Sequence, residues 1–92
     1  MKERYQQIGL CFTSNPILSA DQSKEENTNS IKRAIDHMAN NHLAILDGEI
    51  FYVTQLEAFV KKASSLYECN KEELLKYAQD QLSKMAPPIN KL

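Results

Sequence analysis

The stretch HLAILDGEIFYV, residues 42–53, is the least polar dozen of the chain and carries Asp47-Gly48 at its centre. Two folds follow from two readings of it. Asp-Gly between apolar runs is a strong signal for a type I′ β-hairpin, because both turn residues must tolerate positive φ. Ile50, Phe51, Tyr52 and Val53 also favour strands, so Leu43 to Leu46 would pair with Glu49 to Val53. A lone two-stranded hairpin is marginal in water and calls for a third strand; Ile8, Leu10 and Phe12 alternate as one would. The competing reading extends a helix into the same stretch. Ile31, Ala34, Ile35, Met38, His42 and Ile45 recur at spacings of three or four, which puts them on one helical face. Gly48 would then cap that helix, and residues 49–53 would join it to the next.

The rest of the chain favours helices. Thr54 and Glu57 form a T-x-x-E capping box, with Val53 placed to staple onto Ala58. Leu56, Phe59, Val60, Ala63 and Tyr67 follow as a buried stripe. Asn70 and Glu73 start a further helix whose stripe is Leu74, Leu75, Ala78, Leu82 and Met85, and Pro87-Pro88 ends it. The polar run SADQSKEENTNS, residues 19–30, reads as a linker or as solvated first turns, with two overlapping starts in Ser19/Gln22 and Ser23/Glu26. With no Trp, two Gly and three Pro, the composition disfavours a turn-rich β-sandwich.

The expectation adopted is therefore all-α. It is a small three-helix bundle with a flexible N-terminal arm over residues 1–22, a helical domain over 23–86 and a C-terminal tail over 87–92. The alternative is α+β, in the order β-α-β-β-α-α with a hairpin at 43–53.

At 92 residues the chain makes one domain with a modest core. Apolar residues at 42% and charged residues at 25% are globular proportions. Eleven basic side chains against twelve acidic ones give no long-range attraction for a polyanion. The start, MKERYQQIGLCF, is interrupted by Gln6, Gln7 and Gly9, so no export signal is expected. The longest apolar stretch falls short of the roughly 20 residues of a membrane helix. Cys11 and Cys69 stand in no CxxC cluster and read as reduced, unrelated thiols, with a disulfide as the sharper alternative. A cytoplasmic protein is expected.

The inventory for chemistry is thin. His37 and His42 lie five apart, about 140° around a helix, whereas zinc sites pair histidines at four. Gly9 and Gly48 alone cannot build a phosphate-cradling loop. Glu25-Glu26 and Glu72-Glu73 are adjacent pairs that diverge on a helix and serve capping and solubility. No catalytic residue, cofactor or metal is assigned, and the chain is expected not to be an enzyme.

The aromatics suggest another role. Phe51, Tyr52, Phe59, Tyr67 and Tyr77 crowd into 27 residues. An exposed Phe51-Tyr52 pair, with Phe59 and Tyr67, would anchor a partner on an apolar helical surface. The expected function is a non-enzymatic adaptor or regulator that binds a protein partner or itself, as a homodimer or a heteromeric subunit. The alternative is a small transcriptional or antitoxin-like regulator touching nucleic acid through Lys32, Arg33, Lys61 and Lys62. Those residues are interleaved with Glu57, Glu68, Glu72 and Asp80, so a mixed, solvated face is the preferred reading.

Two resemblances accompany these readings. The amphipathic helix, the ILDG stretch, a Thr-capped helix and an Asn-capped helix, over residues 31–85, loosely resemble the small helical regulators of enteric bacteria that include the biofilm-regulator family, which implies binding to other regulators or dimerisation. On the strand reading, EIFYVTQLEAFVKKA after a helix and a turn resembles the prevent-host-death antitoxins, which implies DNA binding. The polar insertion at 19–30 and the lack of a basic N-terminal segment depart from that second pattern.

Overall fold

The computed structural model describes residues 5–9 and 15–85. Strand β1, Tyr5–Gln7, pairs antiparallel with β2, Ile17–Ser19. Helix α1, Lys24–Asn41, follows, then the hairpin β3, Leu43–Leu46, and β4, Glu49–Tyr52. A 3-10 turn, Val53–Gln55, leads into α2, Leu56–Leu66, and α3, Lys71–Met85, closes the described chain.

The all-α expectation is thus overturned. The fold is α+β and follows the hairpin alternative, with a second N-terminal strand added. Asp47 and Gly48 both have positive φ, 54° and 76°, as a type I′ turn requires. The register joins Leu43 to Tyr52, Ala44 to Phe51, Ile45 to Ile50 and Leu46 to Glu49.

The helical period that led through His42 and Ile45 is broken one residue into the stretch. Helix α1 stops at Asn41, and His42 takes a left-handed conformation, φ 72°, its N–H still donating to Met38 O. A third strand supplies what the lone hairpin lacks. Gly9 N–H donates to Ile45 O at 2.7 Å, and Ile45 N–H donates to Gly9 O at 3.0 Å. That one bridge, two residues beyond the end of β1, joins two two-stranded sheets, β2-β1 and β3-β4. Within the stretch expected as an arm, Ile8 and Leu18 are wholly buried. Leu10, Cys11 and Phe12 of the expected strand, and the tail at 87–92, lie outside the described residues.

Strand alternation then sorts the side chains. Ile8, Leu18, Ala44, Leu46 and Phe51 point inward onto the helices. The helices answer with the stripes their spacing predicts: Ile31, Ala34, Ile35 and Met38 from α1; Leu56, Phe59, Val60 and Ala63 from α2; Leu74 and Ala78 from α3. Each large side chain so buried contributes about 1.5–3 kcal/mol. Phe51 meets Phe59 edge to face, ring centroids 5.6 Å apart, which fixes the sheet against α2.

Capping follows the sequence at two of three starts. Ser23 and Glu26 form a reciprocal box at α1; at α3 Asn70 Oδ1 accepts the Glu73 N–H and Asn70 Nδ2 donates to Glu73 Oε1, while the Asn70 backbone N–H goes to Thr28 Oγ1. Thr54 is not a cap. Helix α2 begins later, after Gln55, whose side chain accepts the Tyr52 N–H at 2.9 Å.

The polar run at 19–30 is no linker. Asn27, Thr28 and Ser30 are buried in α1, and every polar side-chain atom buried there has a partner. Asn27 Oδ1 accepts from Ser19 N–H and Gln22 Nε2, while Nδ2 donates to Ser19 O and Glu68 O. Ser30 Oγ donates to Ile17 O, and Thr28 Oγ1 accepts Asn70 N–H. These bonds clasp β2 and the α2–α3 connection onto the start of α1.

Candidate functional site: the outer face of the sheet

The residues opposite the buried strand positions are Tyr5, Gln7 and Gly9 on β1 and its extension, Ile17 and Ser19 on β2, Leu43 and Ile45 on β3, and Ile50 and Tyr52 on β4. These positions are exposed or half-buried, and among the described residues no helix covers this side. It carries every large apolar side chain found exposed among the described residues: Tyr5 at 61%, Ile17 at 39%, Ile45 at 41%, Ile50 at 49% and Tyr52 at 51%. A scatter of single exposed hydrophobics is ordinary, but their collection on one face is not.

Hydrogen bonding explains how the face is organised. Ile45 spends its N–H and C=O on Gly9, so Ile45 and Ile50 are a non-hydrogen-bonded pair across the hairpin, the closer kind of side-chain pairing. Leu43 and Tyr52 are paired the same way two residues on. Gly9 keeps the face low beside them, since a Cβ there would stand 3.1 Å from Ile45 Cβ.

Charge is kept off the face. None of its nine outward positions is ionisable as a carboxylate or a base. The nearest carboxylates, Asp47 and Glu49 at the turn, are held by Lys62 of α2 at 3.4 and 3.9 Å. Lys62 sits behind the sheet and draws them to that side. At the β4 edge the same pairing rule turns Ile50 N–H and C=O away from β3, while Gln55 takes the Tyr52 N–H.

The expected anchors divide sharply. Phe51, Phe59 and Tyr67 are buried, at 4%, 0% and 2%, and Tyr52 alone of the four reaches the surface. Alternation along β4 separates Phe51 from Tyr52, which a helical joint would have left side by side. Tyr5, Ile17, Ile45 and Ile50 escaped the sequence reading, although Ile45 and Ile50 flank Asp47-Gly48 symmetrically, as outward partners of a hairpin would.

The basic residues serve elsewhere. Lys32 pairs with Glu73 and lies 5.5 Å from the Tyr77 ring centroid, Lys62 holds the turn carboxylates, and Arg33 and Lys61 stand exposed on different helices. Tyr77 Oη donates to Asp36 Oδ1 at 2.6 Å. That bond to a carboxylate, with burial and the Asp36 charge, pushes the phenol from 10.0 up to about 12.

A concavity of about 680 Å³ lies where α1 and α3 begin, lined by Lys24, Thr28, Lys32, Asn70 and Glu73 among others. Several of its polar groups are engaged with one another: Thr28 Oγ1 donates to Lys24 O and accepts Asn70 N–H, and Lys32 holds Glu73. It reads as a packed joint between helix starts. Among the described residues no group of three His, Cys, Asp or Glu side chains is placed to hold a metal ion. Cys69 is half-buried with Sγ 3.4 Å from Ser64 Oγ, and Cys11 lies outside the described residues. Among the described residues no helix is long and apolar enough to cross a membrane.

No protein family, curated protein or solved structure matches the chain in comparisons of its sequence and fold.

Proposed function

We propose that the protein is a non-enzymatic interaction module, a regulator or adaptor, whose working surface is the outer face of the sheet. One observation carries this reading: five large apolar side chains stand exposed on a single face without a charge among them. An uncharged apolar patch rimmed by polar residues is the physical form of a protein-binding surface. The surface is a sheet and not a helical one, because the apolar stripes of all three helices are used in the core. Its partner is a protein, either a second copy or the other half of a heteromeric pair. A cytoplasmic setting is supported by the unclustered cysteines.

Nucleic-acid contact is not favoured, since Lys32 and Lys62 are occupied by carboxylates and the sheet face has no cation.

The test compares what the immobilised chain and an Ile45→Asp/Tyr52→Asp variant retain from an extract of the native host, with circular dichroism confirming that both are folded. Species held by the wild-type chain and released by the variant support the proposal. Retention that the face substitutions leave unchanged overturns it.

A further inference from the structure

We infer that the occupant of this face is a second copy of the chain, two sheets packing face to face about a two-fold axis near the Ile45–Ile50 pair. The inference rests on the reading of the face as an interaction surface and names its partner.

Area is the first argument. With about 250 Å² for a fully exposed Tyr and about 200 Å² for an Ile, the five side chains expose on the order of 500 Å². Two such faces remove about 1,000 Å² from water before Leu43, Gln7 and Ser19 at the rim are added. A specific interface clears roughly 1,000 Å² and stable ones bury about 1,200–2,000 Å², so the face with its rim reaches the lower end of what a dimer needs.

Charge is the second. A two-fold contact sets residue i of one molecule against residue j of the other and j against i, so a charge near the axis meets its own copy. This face has none, and Lys62 holds Asp47 and Glu49 towards the helices. Homodimer interfaces are more apolar than those between different proteins, and a face without charge has that character.

Shape is the third. Sheets pack about 10 Å apart with strands within about 30° of one another. Gly9 beside Ile45 leaves the low point into which a facing isoleucine or tyrosine can settle.

The experiment is sedimentation of the full chain across about 1–300 μM, beside Ile50→Glu and the milder Ile50→Thr, which keeps a β-branched strand residue. The wild-type chain is expected to dimerise. Ile50→Glu should raise the dissociation constant at least about 100-fold, because each substitution occurs twice in the interface. Ile50→Thr should raise it less, with an unchanged circular dichroism spectrum. A dimer that persists undiminished in both variants overturns the inference, since the contact then lies elsewhere. A wild-type monomer at every concentration also overturns it. In that case the extract comparison decides separately whether the face binds a different protein or none.

Discussion

Asn27 is the best place to test the reasoning about how this fold holds its sheet in position. Its side chain makes four hydrogen bonds while 1% exposed, to Ser19 N–H and C=O, Gln22 Nε2 and Glu68 O. Removing them with Asn27→Ala forfeits about 1 kcal/mol for each bond. Half-buried Ser19 recovers part of this from water, leaving a loss of about 2–4 kcal/mol. Against a total stability of about 5–15 kcal/mol, and at about 4–8 °C per kcal/mol for a domain of this size, the thermal midpoint should fall by about 8–32 °C. Thermal unfolding followed by circular dichroism measures it, and urea unfolding gives the free-energy loss.

Asn27→Asp keeps the shape but turns an amide that donates to two carbonyls into an oxygen that repels them. Burial and those carbonyls raise the folded pKa of the new acid above its unfolded value of about 3.9. The folded state then binds more protons, so stability is lost as pH rises from the unfolded pKa through the folded one. The deficit relative to wild type should be larger at pH 7 than at pH 4. A loss under about 0.5 kcal/mol for the alanine variant, or an aspartate deficit independent of pH, would refute the clasp.

Three other outcomes are expected. In a spectrophotometric titration one of the four tyrosines should ionise near pH 12, and Asp36→Ala should return it towards 10. Because the raised phenol keeps its proton in the folded state, this interaction stabilises fully below pH 10 and is lost as pH climbs through about 12. At the turns, Gly48→Val should cost at least about 1–2 kcal/mol by forcing a branched residue to φ 76°, whereas His42→Gly at φ 72° should be neutral or stabilise by up to about 1 kcal/mol in thermal unfolding. Finally, Phe51→Ala should lower stability by about 3–5 kcal/mol, while Tyr52→Ser should leave the unfolding of the dilute chain within about 0.5 kcal/mol of wild type.

Much of this molecule was legible residue by residue. The stripes of α2 and α3 fall where spacings of three and four put them, and Ser23/Glu26 and Asn70/Glu73 cap as their types dictate. The clasp was partly visible, since Asn27, Ser30, Ala34 and Met38 continue a single helical face. Polar side chains on that face imply buried acceptors, but the acceptor at Glu68 lies 41 residues away, beyond any local pattern. The candidate site was legible only at Tyr52. Its other members depend on which strand positions point outward, and that follows from whether the stretch is a strand at all.

Residues 42–53 show why. Their local chemistry supports both a helix that runs on from Ile31 and a hairpin turning at Asp47-Gly48, and neither is strong enough alone to exclude the other. By itself the sequence determined the three amphipathic helices, the starts of α1 and α3 and the competence of Asp47-Gly48 to turn. Only the tertiary structure decided the fold class, because the hairpin is stable when Gly9 bonds Ile45 across 36 residues and Phe51 packs on Phe59. The same pairing turned Ile45, Ile50 and Tyr52 outward, and so made a stretch that reads as a joint into an exposed apolar face.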